Sequence, residues 1–381
     1  MLITWLVIIM TGRCLRLVLL FEAVSSCVPP AVVGSFVTIG AVVGALISII
    51  AGRAYNRFGP RWLNVAAGLI VIGAGLHLHF FPTCNDTLVQ SAVAYSLICM
   101  AIVMSNTAVY RACGSIFQGG PRVTAFSRLN ALYSVIEILS PLGIGILYEI
   151  CPDMLAALLI AFATVSLFMP GPFPASLMAR KAQTATNTLL YSLKRLTVSR
   201  VLLGGTIAGS AIHAVVATFM LVLPISAPGL SMSMADIGYL LAAFAFAQFL
   251  GCFVLSASPA PDKLCSRMFM TLAAGGLVLG AAFWSTSFAA MLVLSFLLGA
   301  ALGPIQPLSM SMIFQYSEPG SVGDILGVRL MLNNFARIIA PLIMGFALDV
   351  MSGPCFLSWT GAAILAATFG ALLYSRVSRA A

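Results

Sequence analysis

Apolar residues run along this chain in unbroken stretches of roughly twenty, separated by short polar or Pro/Gly-rich connections. Twelve stretches can be delimited: 3–24, 31–51, 62–81, 88–110, 126–149, 154–170, 200–223, 235–256, 267–285, 288–314, 325–349 and 355–375. A helix of about 20 apolar residues crosses the hydrocarbon of a bilayer with every backbone N–H and C=O satisfied inside the segment. A transmembrane barrel would instead alternate apolar and polar positions. The pattern therefore predicts an all-α membrane protein with twelve transmembrane helices, here called spans 1 to 12. Span 1 continues past Arg13 and Arg16 without a small-residue cleavage site, so it reads as a span and not as a removable signal.

Composition agrees: 61% of the 381 residues are hydrophobic and 8% are charged, with a mean hydropathy of +1.08, outside the range of soluble domains. The longest polar connection, 171–199, falls between spans 6 and 7. It predicts an N-terminal six-helix bundle (1–170), a central loop (171–199) and a C-terminal six-helix bundle (200–381).

Charge sets the orientation, because Lys and Arg are retained on the cytoplasmic side during insertion. With residue 1 inside, the inner connections hold the basic residues, Arg53, Arg57, Arg61, Arg111, Lys194, Arg195, Lys263 and Arg329 among them, and the outer ones hold none. The outer ends carry Glu22, Asp86, Glu149, Asp153, Asp236 and Asp349. Both termini are expected in the cytoplasm, in a bacterial inner (plasma) membrane. The net charge of +9 then describes topology and not nucleic-acid binding. Nine cysteines are scattered without metal-ligand spacing. Cys27, Cys84, Cys151 and Cys355 fall near the outer face, where a disulfide is conceivable, although small apolar fillers at helix ends are the simpler reading.

The halves match at a shift of 200 residues. "SPLGIGILYE" gives Pro141, Leu142, Gly145 and Glu149; "APLIMGFALD" gives Pro341, Leu342, Gly345 and Asp349. The same shift sets Arg13 over His213, Asn106 over Gln306, and Glu137 over Arg337. Two similar bundles around a shared cleft are the architecture of secondary transporters. Span 2 carries Gly40, Gly44, Ser48 and Gly52 at four-residue intervals, and span 8 carries Ala243, Ala247 and Gly251. Such stripes let helices approach closely, and their equivalence suggests contacts on which the halves rock.

Between spans 2 and 3 the chain reads "GRAYNRFGPRW". Gly52, Arg57, Gly59 and Arg61 resemble the GxxxDRxGRR loop of the major facilitator superfamily, in the same cytoplasmic turn. The resemblance extends over the whole chain through its six-plus-six division and basic central loop. It implies that Gly52, Asn56, Arg57, Gly59 and Arg61 form a cytoplasmic latch in the outward-facing state. Asn56 stands where the family's loop has Asp, which removes the negative partner there and weakens such a latch, and Pro60 replaces the first of the two basic residues. "RFGPR" is reminiscent of the monocarboxylate and oxalate–formate branches. "SPLGIG" resembles part of the glycine–proline motif of proton-driven drug exporters, but span 4 lacks the arginine those exporters carry.

Ionisable groups inside a membrane cost several kcal/mol and face protein or water. Here they are Arg13 and Arg16 in span 1, Glu137 in span 5, His213 in span 7 and Arg337 in span 11. Three apart, Arg13 and Arg16 share one helical face, and guanidinium forks suit carboxylates or phosphates. The alternative is that one of them pairs internally, with Glu137 or Glu22, while the other snorkels. Glu137 and Arg337, equivalent but opposite in charge, are candidates for a gating pair between bundles or for a proton-carrying carboxylate. His213 is a candidate for substrate contact or proton coupling, as are the polar groups Asn106, Tyr110 and Gln306 for substrate orientation. Pro304 and Pro307 should break the helix beside Gln306 and free backbone carbonyls there.

Three arginines against one glutamate make the interior positive, which favours anions. The expected activity is secondary transport of a small organic anion, a carboxylate by preference, by alternating access coupled to a proton or exchanged for a counter-anion. A monomer in the bilayer is expected. Rival readings are an exporter of drug-like or amphipathic metabolites, a membrane-embedded enzyme, or a non-transporting sensor on a transporter fold. No nucleotide-binding loop, nucleophile–base constellation, cofactor motif or metal cluster is legible, so an enzyme is not expected.

Overall fold

The computed structural model describes residues 2–80, 88–116, 120–168, 200–257, 264–284, 287–316 and 322–380. Among them the regular elements are twelve α-helices and short 3₁₀ turns: α1 (Leu2–Ser25), α2 (Pro30–Phe80), α3 (Leu88–Ile116), α4 (Gly120–Ile150), α5 (Pro152–Phe168), α6 (Arg200–Ser226), α7 (Met234–Ala257), α8 (Leu264–Gly280), α9 (Phe288–Leu302), α10 (Ile305–Tyr316), α11 (Val322–Leu348) and α12 (Gly353–Ala380). Nine helical segments among the described residues are long and apolar enough to cross a membrane. The expected spans 154–170, 267–285 and 355–375 are not among these nine, the second being represented by the shorter apolar helix Ser266–Gly280. The chain is an integral, multi-pass membrane protein.

Backbone chemistry sets two of the boundaries. Spans 2 and 3 are the two arms of α2, which meet at a kink at Gly59, whose φ of 80° lies in the left-handed region that glycine alone enters cheaply. Pro60, with no N–H to satisfy and φ preset for a helix, then restarts the second arm. Span 10 splits in two. Its helix stops at Leu302, and α10 resumes at Ile305 after Gly303 and Pro304, the break that the two prolines predicted. The carbonyl of Gly303 accepts from Cys252 Sγ at 3.2 Å.

The described chain falls into two compact units, the first comprising 1–184 with 233–242, the second 185–232 with 243–381. In the first, α1 packs against α2, α3, α4 and α5. Its own Trp5, Ile8, Ile9, Leu15, Leu19 and Phe21 are fully buried. In the second, α6 holds the corresponding place against α8, α10, α11 and α12, and Phe219 and Phe244 meet at 5.1 Å between ring centroids. Large apolar side chains such as Leu46, Leu69, Val293, Ile343 and Phe346 are exposed, as a surface facing lipid tails requires.

The small-residue stripes do their work inside the units. A Cβ on Gly44 would lie 3.4 Å from Val103 of α3, and Gly40 backs directly onto the Tyr95 ring. A Cβ on Gly251 would lie 2.8 Å from the carbonyl of Ala300, and one on Gly299 would lie 3.0 Å from Ala247 Cβ. These stripes pack α2 on α3 and α7 on α9 within the units. The Pro141–Gly145 motif of α4 meets the start of α7, where a Cβ on Gly145 would come within 3.0 Å of Gly238 Cα. Glu149 Oε1 accepts there from the backbone N–H of Ala235 at 2.9 Å. Ser233 and Asp236 complete the same helix start as a reciprocal cap.

Candidate functional site

In the first unit α1 and α4 bring two of the expected residues together. Arg13 Nη2 donates to Glu137 Oε1 at 2.8 Å and to the Tyr133 hydroxyl at 2.5 Å, with its guanidinium carbon 4.5 Å from the Tyr133 ring centroid. Both members of the ion pair are about one-fifth exposed. The cation thus has acceptors of its own, which removes most of the cost of its burial. Arg16, one turn further along, donates to the buried Tyr95 hydroxyl at 2.5 Å and lies 4.9 Å over that ring. Asn106 of α3 accepts from the Trp5 indole N–H at 3.0 Å, and Trp5 stacks on Tyr133. Tyr110, one turn beyond Asn106, is half-buried.

In the second unit α6, α10 and α11 assemble a cluster of another kind. His213 of α6 faces Gln306 of α10 through its Nε2 and Arg337 of α11 through its Nδ1, the latter at 3.2 Å. Arg329 of α11 donates to Gln306 Oε1. Arg329 is 3% exposed, whereas Arg337 is exposed. Beside the cluster, Ser210 donates to Asn333 Oδ1 at 2.9 Å.

Glu137 and Arg337 each have a partner inside their own unit, Arg13 and His213. The contact itself repeats: Arg13 with Glu137 and His213 with Arg337 are the same pair of positions displaced by 200 residues. Arg329, assigned from sequence to an inner connection, is instead a buried member of the site. The signal for it was the spacing Arg329, Asn333, Arg337 at four-residue intervals, which places three polar groups along one side of a helix. Tyr133 and Tyr95 had no such signal, since an aromatic in an apolar run reads as core.

At the basic turn, Gly52 is buried while Arg57 and Arg61 are exposed. The Arg57 guanidinium lies 5.1 Å over the Phe58 ring. Phe58 and Trp62 are 53% and 65% exposed, an arginine–aromatic edge suited to the lipid headgroup level. The side chains of Arg53 and Asn56, the central loop 171–199 and Cys84 lie outside the described residues. Cys27, Cys151 and Cys355 are free thiols, and no group of metal-ligating residues occurs among the described ones.

No family model and no curated protein matches the sequence. The fold is shared with solved transporters. The nucleoside transporter NupG superposes with a TM-score of 0.70 at 13% identity, over 97% of this chain and 98% of its own. The peptide transporter POT, in complex with sulfate, gives 0.71 at 12% identity over 98% and 93%. A bacterial homolog of the human lysosomal transporter Spinster, inward-facing and unoccupied, gives 0.63 at 12% over 100% and 95%. The chain shares its fold with these three transporters, as the resemblance of its basic turn to the major facilitator superfamily implied. The resemblance of "RFGPR" to the monocarboxylate and oxalate–formate branches finds no support in these likenesses.

Proposed function

We propose that the chain is a secondary transporter that moves a small organic anion, a carboxylate by preference, by alternating access. Its twelve spans form two six-helix bundles, 1–170 and 200–381, joined by a cytoplasmic loop at 171–199, in a bacterial inner membrane with both termini inside. One observation carries the choice of substrate. Arg13 and Arg16 on α1 and Arg329 and Arg337 on α11 outnumber Glu137 of α4, which pairs with Arg13. An interior of that sign attracts anions and rejects cations. Fold likeness to transporters of nucleosides and peptides supports transport as such and leaves the cargo to the site.

Glu137 is assigned the coupling role. A proton taken up by its carboxylate would release Arg13, leaving Tyr133 and substrate as the remaining acceptors. Gly52, Asn56, Arg57, Gly59 and Arg61 are assigned the cytoplasmic latch. Purified protein in liposomes should take up a labelled carboxylate when a proton or counter-anion gradient is imposed, and Glu137→Gln should retain exchange while losing proton-driven accumulation. Uptake of cationic drugs in place of carboxylates, or turnover of a substrate in detergent without any gradient, would count against this reading.

A further inference from the structure

Four side chains of the second unit stand in a row. Arg329 faces Gln306 Oε1, Gln306 Nε2 faces His213 Nε2, and His213 Nδ1 faces Arg337 Nη2 at 3.2 Å. A guanidinium is donor-only. A carboxamide has one donor end and one acceptor end, and a neutral imidazole has one donor and one acceptor nitrogen. A row that begins and ends on donor-only groups, with two such two-faced groups between them, can satisfy two of its three contacts. Flipping the amide or exchanging the imidazole tautomer moves the mismatch along the row without removing it, so the conclusion does not depend on where the hydrogens are placed. Protonating the ring adds a second mismatch.

The mismatch belongs at the Arg337 end. Arg329 is 3% exposed, and a donor-to-donor contact is costliest where water cannot relieve it. Its guanidinium fixes the amide oxygen of Gln306 towards itself, so the amide N–H donates to His213 Nε2 and the ring proton sits on Nδ1. That proton meets Arg337, the exposed end of the row and its longest contact. Whatever else the Arg337 guanidinium touches, the ring proton of His213 meets a donor there.

We propose that a carboxylate oxygen of the transported anion docks at this point, accepting from His213 Nδ1–H and an Arg337 N–H together, with Arg329 and Gln306 acting as positioning residues that fix the tautomer. This rests on the organic-anion reading above and adds to it the half of the molecule that receives the charge. In the first unit the equivalent position is already filled from within, because Arg13 donates to Glu137 and Tyr133.

The test uses the full-length protein in detergent, with thermal shifts measured against lactate, succinate and citrate, followed by liposome uptake of whichever protects. Wild type should be stabilised by at least one of the three. Arg337→Gln and His213→Leu should each weaken that response about ten- to a hundred-fold, the loss of a charge-assisted hydrogen bond. His213→Asn, whose amide N–H can stand near the Nδ1 position, should recover part of it. Gln306→Glu offers acceptors to both Arg329 and His213, closes the row, and should lose the carboxylate response without lowering the unliganded melting temperature. Wild type that binds and carries a carboxylate, with the Arg337, His213 and Gln306 variants responding within about twofold of it, overturns the docking site and leaves the anion reading standing. Wild type that neither binds nor carries any of the three overturns both.

Discussion

The two charged clusters occupy equivalent positions and are chemically inverted. On α1 and α4, Arg13 is matched by a carboxylate and a phenol; on α6 and α11, an imidazole is set between an amide and a guanidinium. In the first cluster every described contact pairs a donor with an acceptor, whereas in the second the row from Arg329 through Gln306 and His213 to Arg337 has one more donor contact than its amide and imidazole can accept. Under the proposed function that difference divides the labour: the first half would hold and release its own ion pair, while the second would receive the negatively charged guest. Duplicated halves need not share a function, because one substitution at each of two facing positions inverts what the contact can bind.

The comparison can be broken most strongly at the ion pair. Glu137→Gln leaves the Arg13 guanidinium without its countercharge and should lower stability by about 3 kcal/mol in detergent unfolding, with Arg13→Glu combined with Glu137→Arg recovering more than half. Arg337→Gln in the other half should cost less than about 1 kcal/mol, since it removes a mismatched contact. Equal losses in the two halves would erase the distinction. Copying the first half into the second, with His213→Arg and Arg337→Glu together, should abolish carboxylate stabilisation. The same double variant should keep unliganded stability within about 1 kcal/mol of wild type. Tyr133→Phe removes one acceptor from Arg13 and should cost about 1 kcal/mol, read as a lower melting temperature. Ser210→Ala, which deletes the hydrogen bond to Asn333, should cost about 0.5 kcal/mol and leave transport rates unchanged.

The helical membrane architecture was legible because hydrocarbon admits few alternatives: runs of apolar residues must be helices when no water can satisfy the backbone. The break beside Gln306 was equally legible, since proline cannot donate an N–H and the chain stops helical hydrogen bonding where Gly303 and Pro304 fall. The division between spans 2 and 3 was legible too, with Gly59 leaving helical conformation inside the polar turn that the pattern marked. The stripes at Gly40, Gly44, Ala247 and Gly251 announced close packing but not the partner helix, which turned out to be a neighbour in the same unit.

By itself the amino-acid sequence determined the class, the repeated halves and most of the ionisable groups, since each follows from a local rule: length of an apolar run, position of a positive charge, recurrence at a fixed shift. Tertiary structure decided which group faces which. Hydrogen bonding is directional and acts over about 3 Å, so the pairing of Arg13 with Glu137, 124 residues away, is fixed by helix packing and not by pattern. Arg329 shows the same limit from the other side: its sequence neighbours place it at a helix end, and only the approach of α10 to α11 makes it the buried donor that aligns Gln306.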